Sequence, residues 1–346
     1  ALFQNSKNSQ KEVTDQLGKQ VLKAVEVLVQ KIDKLDQDRG LLKADGRGLG
    51  GFPHERPVQE DVSSEKLYES ALVVMMRLVF LFCAEEKGLL LAGNSLYDKS
   101  YAVSTIREEL RTQADSYGEE ILERRYDAWC RLLALFRGVH GGIDHHLLKL
   151  PAYGGDLFDP NRFPFLEGAN GQPLQVDNRT VLHLLEALQI LQTKLPGGKF
   201  EPRRLSFKGL DVEQIGHVYE GLLDHTAVRS DKTVLGLAGT KNKEPEIALA
   251  EMEAKYAQGE DSLVDFLKKE TGRGVSALKN SLNQEEALDP HTRNKLLIAC
   301  QNNTELVERV LPFYYLLRED TFGYPLVIPQ GSVYVTQGSD RRDTGT

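Results

Sequence analysis

Few residue groupings in this chain could do chemistry, and each has a plainer structural reading beside it. Glu85-Glu86-Lys87 is an acid-x-Lys triplet of the sort a Mg²⁺-dependent nuclease uses. There a carboxylate holds the ion and the lysine orients the attacking water. Such a centre also needs an upstream acid, whereas the residues before Glu85 are continuously apolar, so the triplet reads as a solvated helix end. His140, His145 and His146, near Asp144, have zinc-binding side chains. Zinc wants three or four ligands converging tetrahedrally. Adjacent His145 and His146 would point apart on most backbones and no cysteine lies close, so these are read as loop histidines. No catalytic residue and no metal ligand is assigned.

Asp156-Leu157-Phe158-Asp159-Pro160 is explained by an Asp-Pro turn rather than by a cofactor-holding loop. Arg203, Arg204 and Lys208 form a small basic cluster that could meet a phosphate backbone or face water. The sequence has no phosphate-cradling loop ending in Lys-Ser/Thr, no Gly-x-Ser-x-Gly elbow and no Asn/Asp-Pro-Pro-Tyr/Phe tetrapeptide. Taken alone, these residues support a helical scaffold without a recognisable catalytic centre.

The elements that must position these groups are mostly helices. Leu17, Val21, Ala24, Val25, Leu28, Ile32 and Leu35 recur at helical spacing and predict a helix over Val13–Asp36. Gly40–Asp61, rich in Gly and Pro, reads as a loop or linker. Ser63 suits a helix start, and Leu67–Lys87 is apolar on nearly every face before Gly88, as expected of a buried central rod. Further helices are predicted over Tyr101–Gln113, Glu119–Arg137, Asn178–Lys194 (capped by Asp177) and Val212–Asp224, the last opened by an Asp211/Gln214 capping box. Gly138–Gln175 reads as an irregular excursion and Ser230–Glu244 as a surface insertion. Short helices follow over Pro245–Gln258, Asp261–Glu270 and Thr304–Arg318, with Pro312 kinking or shortening the last. Tyr324–Ile328 and Ser332–Thr336 flank Pro329-Gln330-Gly331 and read as a hairpin.

Composition narrows the classes. The 346 residues are 40% hydrophobic and 27% charged, the balance of an ordinary globular protein. Forty-three Lys and Arg against 51 Asp and Glu leave a net charge of −8, without the basic excess of a compact nucleic-acid-binding module. Contact with DNA would have to come from a local patch or from further sequence. Three well-separated cysteines, Cys83, Cys130 and Cys300, fit a reducing cytoplasm. The apolar run Ala71–Ala84 contains Arg77 and reads as too short and too charged to span a bilayer, so no membrane partner is expected. The chain begins at Ala1 and stops after a Gly-rich, charged stretch, and is expected to be part of something longer.

Three stretches together resemble a known family. Leu67-Tyr68 through Met75-Met76-Arg77-Leu78-Val79-Phe80-Leu81-Phe82-Cys83-Ala84-Glu85-Glu86-Lys87-Gly88-Leu89-Leu90 resembles the buried helix of large bacterial adenine-specific DNA methyltransferases. These include restriction–modification enzymes of type IIG character and the methyltransferases of BREX- and DISARM-like phage-defence systems. Leu210-Asp211-Val212-Glu213-Gln214-Ile215-Gly216-His217-Val218-Tyr219-Glu220-Gly221-Leu222-Leu223-Asp224 is similar to the helix just ahead of that family's catalytic domain. Arg341-Arg342-Asp343-Thr344-Gly345-Thr346 is similar to the run that continues there into a Tyr-Thr-Pro element contacting S-adenosylmethionine.

The resemblance, over about Glu12–Thr346, implies a parent enzyme that methylates the exocyclic amine of a flipped adenine in double-stranded DNA. It implies S-adenosylmethionine as cofactor, with Gly345 and Thr346 at the edge of its site; the residues expected to contact DNA are Arg203, Arg204, Lys208, Arg341 and Arg342. Defence-system subunits are possible partners. The expected fold is mainly α: a multi-helix, bundle-like body with irregular Gly/Pro-rich loops and a short C-terminal β-hairpin. The expected divisions are 1–60 (helix and linker), 61–200 (helical core with the irregular loop 138–176), 201–320 (second helical segment) and 321–346 (hairpin and start of the cofactor element). The function that follows is a helical connector positioning the catalytic domain. The alternative is a non-catalytic helical interaction module of a defence complex.

Overall fold

The computed structural model describes residues 14, 16–35, 62–91, 93–167, 174–194, 200–209, 212–240, 243–284 and 288–337. The fold is mainly helical with small sheets only. The chain divides into two compact units, one of Ala1–Ala227 with Val335–Thr346 and the other of Val228–Tyr334.

In the first unit, residues 16–35 form α1, with Leu17, Val21, Val25, Leu28 and Ile32 buried as their spacing implies. The rod is α2, Ser64–Glu86. Ser63 caps it by accepting a hydrogen bond from the Lys66 N–H at 3.3 Å, and Gly88 ends it in the left-handed region at φ 65°. Buried residues lie on all its faces, among them Leu67, Tyr68, Ala71, Val74, Met75, Leu78 and Phe82. α2 is 23 residues long and its most apolar 18-residue stretch has mean hydropathy 1.8, which is the length and composition to cross a membrane. The sequence reading underestimated it by counting only Ala71–Ala84. Its most apolar stretch is 72% buried within the protein, the environment of a core helix.

Next come α3, Ser95–Ser100, and α4, Val103–Tyr117. The helix expected over Glu119–Arg137 is divided into a 3₁₀ segment, Glu119–Arg124, and α5, Asp127–Gly141. Asn178 explains the break. Its N–H donates to the Arg125 carbonyl at 2.8 Å, and its side-chain oxygen accepts from the Ala128 N–H at 3.1 Å, so α5 is capped from a distant segment. The excursion after α5 opens with a hairpin, β1 (Ile143–His145) and β2 (Leu148–Leu150), and later contains the short α6, Pro164–Glu167.

Asp177 caps α7 by accepting from Thr180 N–H at 2.8 Å. That helix stops at Gln189, short of the expected Lys194. Ile190–Lys194 is instead β3, paired antiparallel with β4, Phe200–Arg204, in a register running from Ile190↔Arg204 to Lys194↔Phe200. A full ladder with the later segment outweighs continuation of the helix. α8, Val212–Leu223, and β5, His225–Arg229, follow; Asp211 of the expected capping box lies outside the described residues.

The second unit contains three more departures. Ser230–Glu244 is no mere surface insertion, because Val234–Gly236 is β6, the buried central strand of a three-stranded sheet. β6 pairs antiparallel with β7 (Glu246–Ala248) on one side and Val327–Ile328 on the other. The helix expected from Pro245 therefore begins only at α9, Leu249–Ala257. α10 (Glu260–Thr271), α11 (Val275–Leu282), α12 (Pro290–Ala299) and α13 (Thr304–Val310) follow, with α11 and α12 missing from the sequence reading. Pro312 falls in a 3₁₀ turn, Leu311–Leu316, that closes α13 early, as expected of proline. Leu235, Met252, Leu263, Leu267, Leu278, Leu296, Val310 and Phe313 make this unit's core.

The two C-terminal strands exist, but they do not pair with each other. Val327–Ile328 is claimed by β6, and Val333–Gln337 pairs with His225–Arg229. A burial-satisfying partner for each strand defeats the local turn signal.

Candidate functional surface

The most specific part of the family resemblance falls on α8, whose two faces differ. Ile215, Val218 and Leu222 lie with Leu17, Val21, Met75 and Phe207 around a narrow apolar space. The Leu222 carbonyl accepts a hydrogen bond from the buried Tyr68 hydroxyl at 2.6 Å. Burial, reinforced by the charge of Glu26, pushes the Tyr68 phenol well above its ordinary range and keeps it a donor.

The opposite face carries Glu213, His217, Glu220 and Gly221, all exposed, and Tyr219 is exposed at the flank of the apolar face. The His217 imidazole lies 3.8 Å from the Glu213 carboxylate and 3.4 Å from that of Glu220. A Cβ built on Gly216 or Gly221 would meet nothing within 4 Å. Neither glycine is demanded by packing, and each weakens the helix by about 0.5–1 kcal/mol relative to alanine. The result is an acidic, aromatic surface with two places where another backbone could approach closely.

The basic cluster is dispersed. Arg203 and Arg204 are consecutive in β4, where successive side chains leave opposite faces. Arg204 lies 3.5 Å from Glu108, so part of its charge is balanced. Lys208 is exposed in the 3₁₀ turn Phe207–Gly209, and its N–H donates to Glu86 at 3.0 Å. Arg341, Arg342, Gly345 and Thr346 lie outside the described residues, so S-adenosylmethionine is assigned to no described side chain.

The Glu85-Glu86-Lys87 triplet is not the solvated helix end expected. Glu85 accepts from the Tyr97 hydroxyl at 2.9 Å, from Val103 N–H at 2.6 Å and from Ser104 N–H and Oγ at 3.4 and 3.2 Å. It thus satisfies the start of α4, where the first N–H groups have no partner within their own helix. Burial raises the Glu85 carboxyl above the ordinary glutamate range, although each of these hydrogen bonds pulls the other way. Glu86 accepts from Ser206 Oγ at 2.9 Å as well as from Lys208, and anchors the segment after β4. Lys87 alone is exposed. The two acids serve as fasteners.

His145 and His146 sit exposed at the β1–β2 turn, and their rings lie 4.1 Å apart instead of diverging. The His145 Nδ1 accepts from Leu147 N–H at 3.3 Å. Among the described residues, no three His, Cys, Asp or Glu side chains are grouped to hold a metal ion.

Sequence reasoning missed the use made of Arg77. Its guanidinium is fully buried in α2, paired with the buried carboxylate of Glu167. Nε donates to the Leu157 carbonyl at 2.6 Å and Nη2 to the Asp159 carbonyl at 3.2 Å, while the Phe136 ring centroid lies 5.1 Å away. The Asp156–Pro160 turn therefore supplies carbonyl acceptors to a buried cation. A lone arginine in an apolar helix was the signal, because a buried charge requires partners. A second cluster joins Arg111 to Glu186 and Glu119, with Arg179 and His183 also on Glu119, at 3.3 and 3.0 Å.

No family model, curated protein or solved structure matches this chain. The resemblance rests on the residues quoted above.

In the second unit, Thr233, Gln301, Asn303, Glu305, Arg309 and Gln330 line an open polar cleft of about 430 Å³. Arg309 is held there by Glu253 through two 2.8 Å hydrogen bonds. Among the described residues Glu305 is the one carboxylate lining the cleft, and no second acid converges on it there.

Proposed function

We propose that this chain is the helical connector of a cytoplasmic, S-adenosylmethionine-dependent DNA adenine-N6 methyltransferase of a restriction–modification or phage-defence system. On this reading the buried rods fix the geometry of the region, and the catalytic domain docks on the exposed face of α8. The observation that carries it is the position of the resembling residues. Gly216, Tyr219, Glu220 and Gly221 lie together in one helix, and Tyr219, Glu220 and Gly221 are exposed. Two glycines that weaken a helix, and at which an added Cβ would meet nothing within 4 Å, are accounted for by a surface that comes to lie against them.

DNA contact in this reading belongs mainly to the parent protein, since the chain is acidic overall and its Arg203–Lys208 cluster is split. The second reading, a non-catalytic interaction module of a defence complex, uses the same α8 face for a protein partner. Transfer of a labelled methyl group to duplex DNA separates the two. The 346 residues alone should transfer none, and the protein continued through the reading frame after Thr346 should be active. Placing tryptophan at Gly216 should lower that activity while leaving the fold intact. Transfer by the 346 residues alone would contradict the connector, and an inactive continued protein would favour the interaction module.

A further inference from the structure

The second unit has the marks of a self-contained insertion. It has its own apolar core, in which Leu235, Leu263, Leu267, Leu278, Leu296 and Val310 are fully buried. It spans roughly a hundred residues, within the usual range for a domain. Its two ends are bonded to each other. Ser230 N–H donates to the Ser332 carbonyl at 2.9 Å, Gly331 N–H to the Ser230 carbonyl at 2.8 Å, and Arg229 Nη1 to the Gly331 carbonyl at 2.6 Å. The chain therefore leaves and returns at neighbouring-strand spacing, about 5 Å, a gap that a two-residue hairpin turn can bridge.

We infer that residues 228–334 are an inserted module, folding on its own core and replaceable by a short turn without loss of the first unit. Its place in the sequence gives this a functional consequence, which rests on the connector reading. The insertion lies between the Leu210–Asp224 helix and the Arg341–Thr346 run, the two stretches that resemble the approach to a catalytic domain. Without it those stretches would be joined by the strands His225–Arg229 and Val333–Gln337 and a turn. The module would be an addition carried by the connector, and its polar cleft would serve something other than methyl transfer.

Hydrogen exchange on the full chain tests this without DNA or cofactor, so the outcome is independent of the methyltransferase reading. Leu267→Asn places an amide in the second core. It should cut amide protection in α9, α10 and α11 by about 100-fold or more, with changes below about threefold in α2, α5 and α7. Leu184→Asn, at a fully buried position of α7, should give the reverse pattern. Replacing residues 231–330 by Asn-Gly should leave the α2, α5 and α7 protection in place. Loss of protection in both units from either point variant would overturn the inference, as would collapse of the first unit in the replacement variant.

Discussion

Arg77 illustrates how a single residue can set the requirements of a whole segment. Its charge has no water, so Glu167 and the carbonyls of Leu157 and Asp159 must be brought to it from the irregular excursion. Removing one partner of such a pair strands the other charge, at a cost of about 3–5 kcal/mol, whereas replacing both with apolar groups is often close to neutral. Arg77→Met and Glu167→Leu should each lower the urea midpoint strongly, and the double variant should recover most of the loss. Additive losses would show that the pair is not coupled. Glu85 allows a test by pH. Burial raises its folded-state pKa above the unfolded value, so the native state holds this proton more tightly and gains stability as pH falls through the interval just above 4.5. The stability of the natural protein relative to Glu85→Gln should therefore rise between pH 7 and pH 5 in urea titrations. A falling difference would mean that the hydrogen bonds from Val103, Tyr97 and Ser104 outweigh burial. Neither role was legible in the sequence. Arg77 showed that partners were needed without naming them, and the groups that bury Glu85 arrive from residues further along the chain.

At the scale of elements, legibility followed the reach of the forces that form them. The start of α2 at Ser63 and of α7 at Asp177 were readable because a cap and its target N–H are three residues apart. Long apolar periodicity gave α1 and α2. The end of α7 was misplaced because Ile190–Lys194 takes its conformation from Phe200–Arg204, and β6 was missed because the short apolar run Val234–Ala238 carries neither an alternating nor a helical period. The C-terminal hairpin failed for a similar reason, since each strand finds its partner elsewhere. The candidate surface was more legible than its geometry: the α8 residues were singled out by type, while their exposure required the fold. Gly216→Ala and Gly221→Ala should each stabilise this chain by about 0.5–1 kcal/mol in thermal or urea unfolding, because no contact is lost and the helix is strengthened. Destabilisation would reveal a packing role in the chain itself.

At the scale of the molecule, two units with separate cores carry the same sequence logic to different ends. The first is organised around α2 and presents α8; the second closes its own ends and holds an open polar cleft. The most direct measurement is the accessibility of the α8 face. With Cys130→Ser removing an exposed native thiol, Tyr219→Cys can be labelled by maleimide in the 346-residue chain and in the longer parent protein proposed for it. Fast labelling in the first and at least about tenfold slower labelling in the second is the expected result, as buried interface positions are shielded from solvent. Equal rates in the two proteins would contradict the account, because the proposed catalytic domain would then not be seated on that helix.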